Sequence, residues 1–181
     1  MYPQAAHDVG QIIAERKDVL VYGGGSPGCM GALATGCLSH GGTVIGIIPR
    51  FFIENEPPME ALTKPPHSLI YVENMSERKC RMFRTADAVI TLPGGWGSLD
   101  EFFEDITDSK LVHFTKAQPR PHVLVNLGGY WDPLIAVIHR VVEKKFGRLP
   151  DTLKIVESVD QIFPKLDEMM YGPNVRTLAA G

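Results

Sequence analysis

Two glycine-rich segments, each placed directly after a short apolar run, constrain the fold of this chain more than any other feature. The first, GGGSPG at residues 23–28, follows VLVY at 19–22, and the second, PGGWG at 93–97, follows AVIT at 88–91. Glycine lets a backbone approach a ligand closely, and a helix that begins after such a turn presents partial positive charge at its N-terminus. Two turns of this kind on one sheet predict a nucleotide that is held from both sides.

The order of the predicted elements favours the α/β class. Apolar runs predict strands at 19–22, 43–48, 69–72, 88–92, 121–126 and 153–156, and helices are predicted at 5–16, 30–40, 76–85, 98–107, 133–145 and 160–170. We expect Ser76 to be the N-cap of its helix. Strands that alternate with helices pair in parallel, so we predict a Rossmann-like, doubly wound parallel sheet in three layers. Ligands in such sheets bind at the carboxyl ends of strands, where both glycine turns lie. A proline-rich stretch at 57–66 should form a surface excursion near that site.

Bulk properties restrict the class of protein. The 181 residues predict a single domain, 1–181, with an apolar fraction of 44% and a charged fraction of 22%. A net charge of −3 disfavours a nucleic-acid partner, and no apolar run is long enough to cross a membrane. The start of the sequence does not resemble a signal peptide, and the three cysteines have no metal-ligand spacing. The six histidines form no spaced cluster, so we predict neither a metal site nor a catalytic histidine. We expect a cytoplasmic protein.

Two missing motifs narrow the class of nucleotide. The first turn formally fits G-x-G-x-x-G, but the next strand ends in IIPR at 47–50, without the carboxylate that would hold the ribose of a dinucleotide. The sequence also lacks the G-x-x-x-x-G-K-[ST] pattern of nucleoside triphosphatases. A nucleoside monophosphate is therefore the better prediction.

The second turn and its helix, PGGWGSLDE at 93–101, resemble the P-G-G-x-G-T-x-x-E motif of the LOG ("Lonely guy") family. These are cytokinin riboside 5′-monophosphate phosphoribohydrolases, formerly labelled lysine decarboxylase-like proteins. Three other segments are similar to that family in the same order: the first glycine turn with the strand at 42–49, MSERK at 75–79, and NLGGY at 126–130. The resemblance extends from about Tyr2 to about Leu166.

The resemblance implies hydrolysis of the N-glycosidic bond of a purine riboside 5′-monophosphate, with no cofactor. Such cleavage develops positive charge on the sugar, which a nearby carboxylate stabilises. The resemblance implies Glu101 and Arg78 as the catalytic pair, with Arg78 acting electrostatically because its guanidinium stays charged. No lysine lies in a recognisable pyridoxal-phosphate motif, which disfavours a decarboxylase. A nucleotide-binding module without turnover is the alternative function.

The resemblance also implies a set of substrate-binding residues along the two turns and their flanking elements: Gly24, Gly25, Glu60, Lys79, Gly94, Gly95, Trp96, Gly97, Ser98, Leu99, Asp100 and Thr107. Structural alternatives exist for several of them. Ser98 and Glu101 also fit an S-x-x-E capping box, which starts helices. Glu60 could be an ordinary loop carboxylate, Thr107 could terminate a helix, and Trp96 could simply cover the turn.

The chain departs from the family pattern in ways that bear on structure and activity. Ser98 replaces the usual Thr but keeps its hydroxyl, whereas Pro27 removes one backbone donor from the first turn. The family begins with a strand before its first helix, and this chain starts at Tyr2 inside that helix. We therefore expect a fold without the family's first strand, and we leave the preference between cytokinin and adenine open.

The resemblance to this family also implies a homodimer whose pocket is completed at the subunit interface. Apolar side chains after Glu101 exceed what one helix buries against its own sheet. The candidates for the subunit contact are Phe102, Phe103, Leu111, Val112 and Phe114. The alternative is that all five belong to the core.

Overall fold

The structure, a computed structural model, describes residues 1–53, 57–115 and 120–172, with the backbone alone for 110–115. It consists of two compact units, Met1–Ala86 and Asp87–Gly181. Both units alternate helices with parallel strands, so the predicted α/β class is confirmed. The single domain spanning 1–181 stays a prediction. None of the helices in the described ranges is long and apolar enough to cross a membrane.

The first unit is built on a parallel sheet of three strands. Strands β1 (Val19–Tyr22), β2 (Thr43–Pro49) and β3 (Ser68–Val72) pair in the order β1-β2-β3, and helices α1 (Tyr2–Glu15), α2 (Gly28–Ser39) and α3 (Met75–Thr85) accompany them. Three apolar side chains of β2, the central strand, are almost fully buried, namely Val44, Ile47 and Ile48. Because the strands are parallel, their carboxyl ends share one edge of the sheet. The first glycine turn leaves β1 at that edge, and α3 starts shortly after β3 ends there.

Helices α1 and α2 pack with their backbones in close contact. A Cβ atom on Gly10 would overlap the carbonyl of Leu33, and one on Gly36 would overlap the carbonyl of His7. Glycine on both helices therefore permits an approach that no larger residue allows. The buried stripe of α1 consists of Ala6, Val9, Gly10, Ile13 and Ala14.

The second unit repeats the parallel arrangement. Strands β4 (Val89–Thr91), β5 (His122–Val125) and β6 (Leu153–Val156) pair in the order β4-β5-β6, with helices α4 (Trp96–Thr115), α5 (Asp132–Glu143) and α6 (Ile162–Tyr171). One apolar cluster joins α4, β5, α5 and β6 and consists of Phe102, Leu124, Trp131, Ile138 and Leu153. Because Phe102 is fully buried within this unit, it is not available for a subunit contact, and that prediction was wrong.

Helix α4 differs from its prediction at both ends. It begins at Trp96, where the Gly95 carbonyl accepts the first helical hydrogen bond from the Leu99 N–H at 3.1 Å. Ser98 is therefore the third residue of the helix and cannot be its N-cap, so the capping-box interpretation was wrong. Glu101 lies in the second turn rather than the first. The helix continues past Thr107 because neither glycine nor proline interrupts the sequence before residue 119.

The start of α3 also differs from its prediction. The N-cap is Asn74 and not Ser76, since the Asn74 side chain accepts a hydrogen bond from the Glu77 N–H at 2.9 Å. The Glu77 carboxylate in turn accepts the Glu73 N–H at 2.9 Å. Asn74 thus caps the first turn, and Glu77 ties the residue before the cap to that turn, so the two hydrogen bonds fix where α3 begins.

The proline-rich stretch runs over the first unit. Its regular part is a short 3-10 turn, Glu60–Thr63, which buries Leu62 completely. The Ser26 hydroxyl donates a hydrogen bond to the carbonyl of Pro57 at 2.8 Å. The start of the stretch therefore lies beside the first glycine turn.

Candidate functional site

The first glycine turn lies against the sheet of its own unit. Gly23, Gly24 and Gly25 are all buried directly after β1. Gly24 has a φ of +80°, a conformation that side chains with a Cβ rarely adopt, and a Cβ there would lie 2.9 Å from the Cβ of Ile48 in β2. The glycines therefore let this backbone turn sharply while it stays in contact with β2.

Arg78 extends its guanidinium over this turn. A Cβ on Gly23 would overlap an Nη atom of Arg78, so glycine at position 23 leaves room for the guanidinium. The polar neighbours of the two Nη atoms are thioether sulfurs, with Met75 Sδ at 3.8 Å and Met30 Sδ at 3.9 Å. Arg78 Nε is buried without a hydrogen-bond partner, and no carboxylate of the described residues pairs with this side chain. A half-buried cation with only weak acceptors is expected to attract an anion.

The N-terminus of α2 adds a second source of positive charge at the same place. Met30, which contacts Arg78, lies in the first turn of α2, and that turn carries no acidic residue. The free N–H groups and the helix dipole therefore face an environment that an anion can occupy. Within the first unit, the turn, Arg78 and the start of α2 together form a candidate anion site.

The other predicted residues of the first unit lie on α3 and on the 3-10 turn. Lys79 is half-buried and follows Arg78 on α3. The exposed Glu60 carboxylate pairs with Lys64 at 3.2 Å across one turn. An exposed pair of this kind contributes little to stability, so it does not fix Glu60 in place. Contacts of Lys79 or Glu60 with substrate stay predictions.

The second glycine turn is exposed at the start of α4. Gly95, Trp96 and Gly97 are exposed, and 89% of the Trp96 side chain is accessible to solvent. A Cβ on Gly94 would overlap the Ser98 Oγ, whereas one on Gly95 or Gly97 would meet nothing within 4 Å. The fold itself therefore requires glycine at 94 but not at 95 or 97.

Tyr130 also contacts this turn, which the sequence did not predict. Its hydroxyl donates a hydrogen bond to the Gly94 carbonyl at 2.6 Å. The side chain of Asn126 fixes the loop that carries Tyr130. Its Oδ1 accepts a hydrogen bond from the Trp131 N–H at 2.7 Å, and its Nδ2 donates one to Asp132 at 2.8 Å. The N-x-x-G-Y pattern was the available signal, but the sequence did not show that the tyrosine reaches Gly94.

The remaining predicted residues of the second unit lie along α4. Glu101 is half-buried, Asp100 is exposed, and the Leu99 side chain packs against the apolar cluster of the unit. Thr107 is exposed, and its hydroxyl donates to the Phe103 carbonyl at 2.7 Å. Thr107 follows Glu101 by six positions, which separates them by about 9 Å along the helix axis and about 120° around it. The two side chains therefore project from different sides of α4.

The second unit also contains a buried polar network that the sequence did not predict, consisting of Thr91, Asp105, Arg120 and His122. Asp105 accepts hydrogen bonds from Arg120 at 2.8 Å and 3.2 Å and pairs with His122 Nδ1 at 2.8 Å. His122 Nε2 lies 2.8 Å from the Thr91 hydroxyl. Burial alone would raise the pKa of Asp105, but hydrogen bonds and attraction from His122 and Arg120 outweigh it and hold the pKa below its ordinary value. Sequence spacing could not reveal this network because its members are 14 or more residues apart, except for Arg120 and His122.

Comparison with known proteins decides the family. The family model described as "Possible lysine decarboxylase" matches residues 30–169. A "Probable cytokinin riboside 5'-monophosphate phosphoribohydrolase" of Oryza sativa subsp. japonica is 35% identical over 178 residues, covering 97% of this chain and 69% of the relative. The chain belongs to the LOG family. Among other LOG relatives, a cytokinin riboside 5′-monophosphate phosphoribohydrolase of Rhodococcoides fascians is 43% identical over 144 residues, covering 78% of this chain and 69% of the relative.

Solved structures support the fold of this LOG-family chain. The molybdenum cofactor binding protein of Rippkaea orientalis aligns with a TM-score of 0.69 at 21% identity, covering 93% of this chain and 88% of that protein. The molybdenum cofactor carrier protein of Chlamydomonas reinhardtii aligns with a TM-score of 0.60 at 19% identity, covering 99% and 89%. At these identities the similarity concerns the fold alone.

Proposed function

We propose that this protein hydrolyses the N-glycosidic bond of purine riboside 5′-monophosphates, either cytokinin riboside monophosphates or AMP. The products are the free base and ribose 5-phosphate. The observation that carries the proposal is the Arg78 guanidinium, which lies over the first glycine turn and beside the start of α2 without a carboxylate partner among the described residues. Similarity to relatives named as phosphoribohydrolases supports the same reaction.

Each catalytic residue has a distinct part in this reaction. Water adds to C1′ of the ribose while the bond from C1′ to the base nitrogen breaks, and the departing base takes up a proton. The Glu101 carboxylate stabilises positive charge on the sugar and orients the water. Arg78 and the start of α2 attract the phosphate, with Lys79 as additional positive charge.

The second glycine turn is proposed to contact the substrate through its backbone. Gly95 and Gly97 occupy open space with φ values outside the left-handed region, so glycine there has no packing role. Their absent side chains leave room for a ligand next to the first turn of α4, which has no acidic residue. We propose that Ser98 and Asp100 add polar contacts and that the exposed Trp96 covers the bound nucleotide.

The test is to incubate the purified protein with AMP and with isopentenyladenosine 5′-monophosphate and to measure free base by chromatography. Glu101→Gln should lower kcat at least tenfold, which corresponds to about 1.4 kcal/mol of lost transition-state stabilisation. Asp108→Asn, an exposed carboxylate on the same helix, is the matched control and should keep wild-type turnover. Absence of base release by folded wild-type protein would refute the enzymatic function.

Substrate selectivity tests the part assigned to Arg78. The wild-type protein should prefer AMP to adenosine, because only AMP carries the phosphate. Arg78→Ala should remove most of that preference by slowing AMP cleavage far more than adenosine cleavage. An equal loss with both substrates would show that Arg78 acts on the base or the sugar instead.

Calorimetry with AMP separates the enzyme from a nucleotide-binding module without turnover. Tight binding together with no released base would favour the module. The description of the family model also suggests incubation with lysine, and we expect no cadaverine. Cadaverine that forms only when the folded protein is present would contradict the proposed reaction.

We further propose that the protein acts as a homodimer in the cytoplasm. The free thiols of Cys29, Cys37 and Cys80 fit a reducing compartment. Phe103, which is 46% exposed on α4, remains a candidate for the subunit contact. The side chains of Leu111, Val112 and Phe114 lie outside the described residues. Cell fractionation and light scattering test the two proposals separately.

A further inference from the structure

The polar network joins three elements around the second glycine turn. Thr91 is the last residue of β4, and only Leu92 and Pro93 separate it from Gly94. Asp105 follows Glu101 by one turn of α4, and His122 is the first residue of β5. Val89 pairs with His122 in the sheet, so Thr91 and His122 project from the same face as diagonal neighbours. One hydrogen-bonded chain therefore connects the strand before the turn to the helix after it.

The acceptor chemistry of Asp105 assigns the direction of its hydrogen bonds. A carboxylate can only accept, so His122 donates from Nδ1 to Asp105 and Arg120 donates to the other carboxylate oxygen. With Nδ1 directed at Asp105, Nε2 points to the Thr91 hydroxyl and shares a hydrogen bond of 2.8 Å with it. The side chain of Thr91 is thereby held in one orientation.

The imidazole also holds helix α4 through a second contact. The Phe102 ring is fully buried and lies edge-to-face with the His122 ring at a centroid distance of 5.3 Å. Phe102 and Asp105 are three residues apart and share one face of α4, so His122 contacts that face at two points. Such contacts fix the rotation of α4 about its axis. A helix is about 10–12 Å in diameter, so a rotation of about 10° would move a side-chain tip by roughly 1 Å.

Stability alone does not explain why these side chains are polar. Buried ionic groups can often be replaced by apolar residues of similar size without loss of stability. Hydrogen bonds differ from apolar contacts because they specify direction as well as distance. The network therefore specifies a single orientation for the end of β4 and for α4, the two elements that flank the second glycine turn.

We propose that Thr91, His122 and Asp105 are positioning residues that hold the second glycine turn and Glu101 in the geometry for catalysis. This inference rests on the proposed phosphoribohydrolase function. None of the three contacts the substrate, since all are buried and at most 7% exposed. A misplacement of reacting groups by about 1 Å can cost about a hundredfold in rate, so the network should affect kcat.

The test compares two substitutions of Thr91 with a control in the core. Thr91→Val keeps the shape of the side chain but removes its hydroxyl, and it should lower kcat for AMP at least tenfold with KM changed less than threefold. Thr91→Ser keeps the hydroxyl and should recover most of the lost kcat. Val123→Ala shortens a fully buried side chain of β5 and should lower the melting temperature. At assay temperatures below that melting temperature, it should have little effect on kcat. If Thr91→Val and Val123→Ala reduce kcat only in proportion to lost stability, the positioning role is overturned.

Nuclear magnetic resonance of the histidine rings tests the network independently of turnover. The wild-type spectrum should show a proton on His122 Nδ1, and Thr91→Val should shift the Nε2 resonance. An Nδ1 without a proton at neutral pH would overturn the assigned hydrogen bond to Asp105, even in an active enzyme. If the wild-type protein gives the expected spectrum but releases no base, the proposed function is refuted, and the effect of the network on kcat is refuted with it.

Discussion

At the scale of single residues, the close approach of the Arg78 guanidinium to Gly23 is the main structural support for the proposed function. The guanidinium occupies the space that a Cβ at position 23 would fill, so these two residues depend on each other. Arginine is costly to bury without an acceptor, and its Nε has none in the described part of the chain. An anionic ligand would supply the missing partner.

This relation predicts that Gly23→Ala will impair the reaction without unfolding the protein. The added Cβ would meet the end of a flexible side chain, so Arg78 should move away at little cost in stability. We expect kcat/KM for AMP to fall at least tenfold while the melting temperature stays within a few degrees. Arg78→Ala should cause a similar loss, and the double variant should be no worse than Arg78→Ala alone. Additive losses would show that Gly23 acts independently of Arg78.

At the scale of elements, sequence patterns predicted much of the fold. The glycine turns, the parallel strands and the order of helices all follow from local apolar runs bounded by glycine and proline. Strands β1 and β6 have their predicted bounds. The errors lie at the end of α4, which continues past Thr107, and at two helix starts, where Ser76 and Ser98 were predicted as caps but other residues begin the helices. Capping residues recur by chance, and the competing Asn74, with Glu77 three residues later, was equally visible in the sequence.

The residues that the sequence did not reveal act through long-range contacts. Tyr130 reaches Gly94 across 36 residues of sequence, and His122 reaches Asp105 across 17. Such pairs depend on strand order and register, which no local pattern encodes. Arg78 was predicted from the family motif, but its position over Gly23 required the packing of α3 against β1 and β2.

The close contact between α1 and α2 yields a prediction about stability. Gly36→Ala would place a Cβ against the backbone of His7, which cannot move without separating the helices. We expect a loss of about 1–3 kcal/mol in the free energy of unfolding, as for other overpacked interiors. Gly97→Ala is the matched control because nothing surrounds that position, and replacing glycine in a helix should stabilise it by about 0.5–1 kcal/mol. Urea unfolding of both variants should show opposite signs, and equal stability of Gly36→Ala and wild type would contradict the contact.

At the scale of the whole molecule, the depressed pKa of Asp105 predicts sensitivity to acid. Hydrogen bonds and charges of His122 and Arg120 favour the ionised carboxylate in the folded state. This contribution to stability is present above the ordinary aspartate pKa and is lost as the pH falls through the lower pKa of the folded state. We expect the free energy of unfolding, measured in urea, to decrease steeply below about pH 4.

Two variants separate Asp105 from other carboxylates in that titration. Asp105→Asn should reduce stability at pH 7 by about 1–3 kcal/mol and flatten the dependence below pH 4. A hydrogen bond from Lys165 also lowers the pKa of Glu168, but this side chain is exposed and screened by solvent. Glu168→Gln should therefore leave the acid dependence nearly unchanged. A slope below pH 4 that is the same in Asp105→Asn and wild type would refute the linkage.

The proposed homodimer concerns the whole molecule as well. Phe103 is 46% exposed on α4, although its neighbour Phe102 is fully buried, so an apolar ring faces away from the core of its unit. Burying such a ring against a partner removes apolar surface from water, and a charge at that position opposes the burial. Light scattering at micromolar concentration should give about twice the chain mass of 19.9 kDa for the wild type and a single chain mass for Phe103→Asp. Phe146, which is 88% exposed beyond α5, provides the control, and Phe146→Asp should remain dimeric. If Phe146→Asp dissociates and Phe103→Asp does not, the subunit contact lies beyond α5. If the wild type is a monomer and still releases base from AMP, the pocket is not shared between subunits.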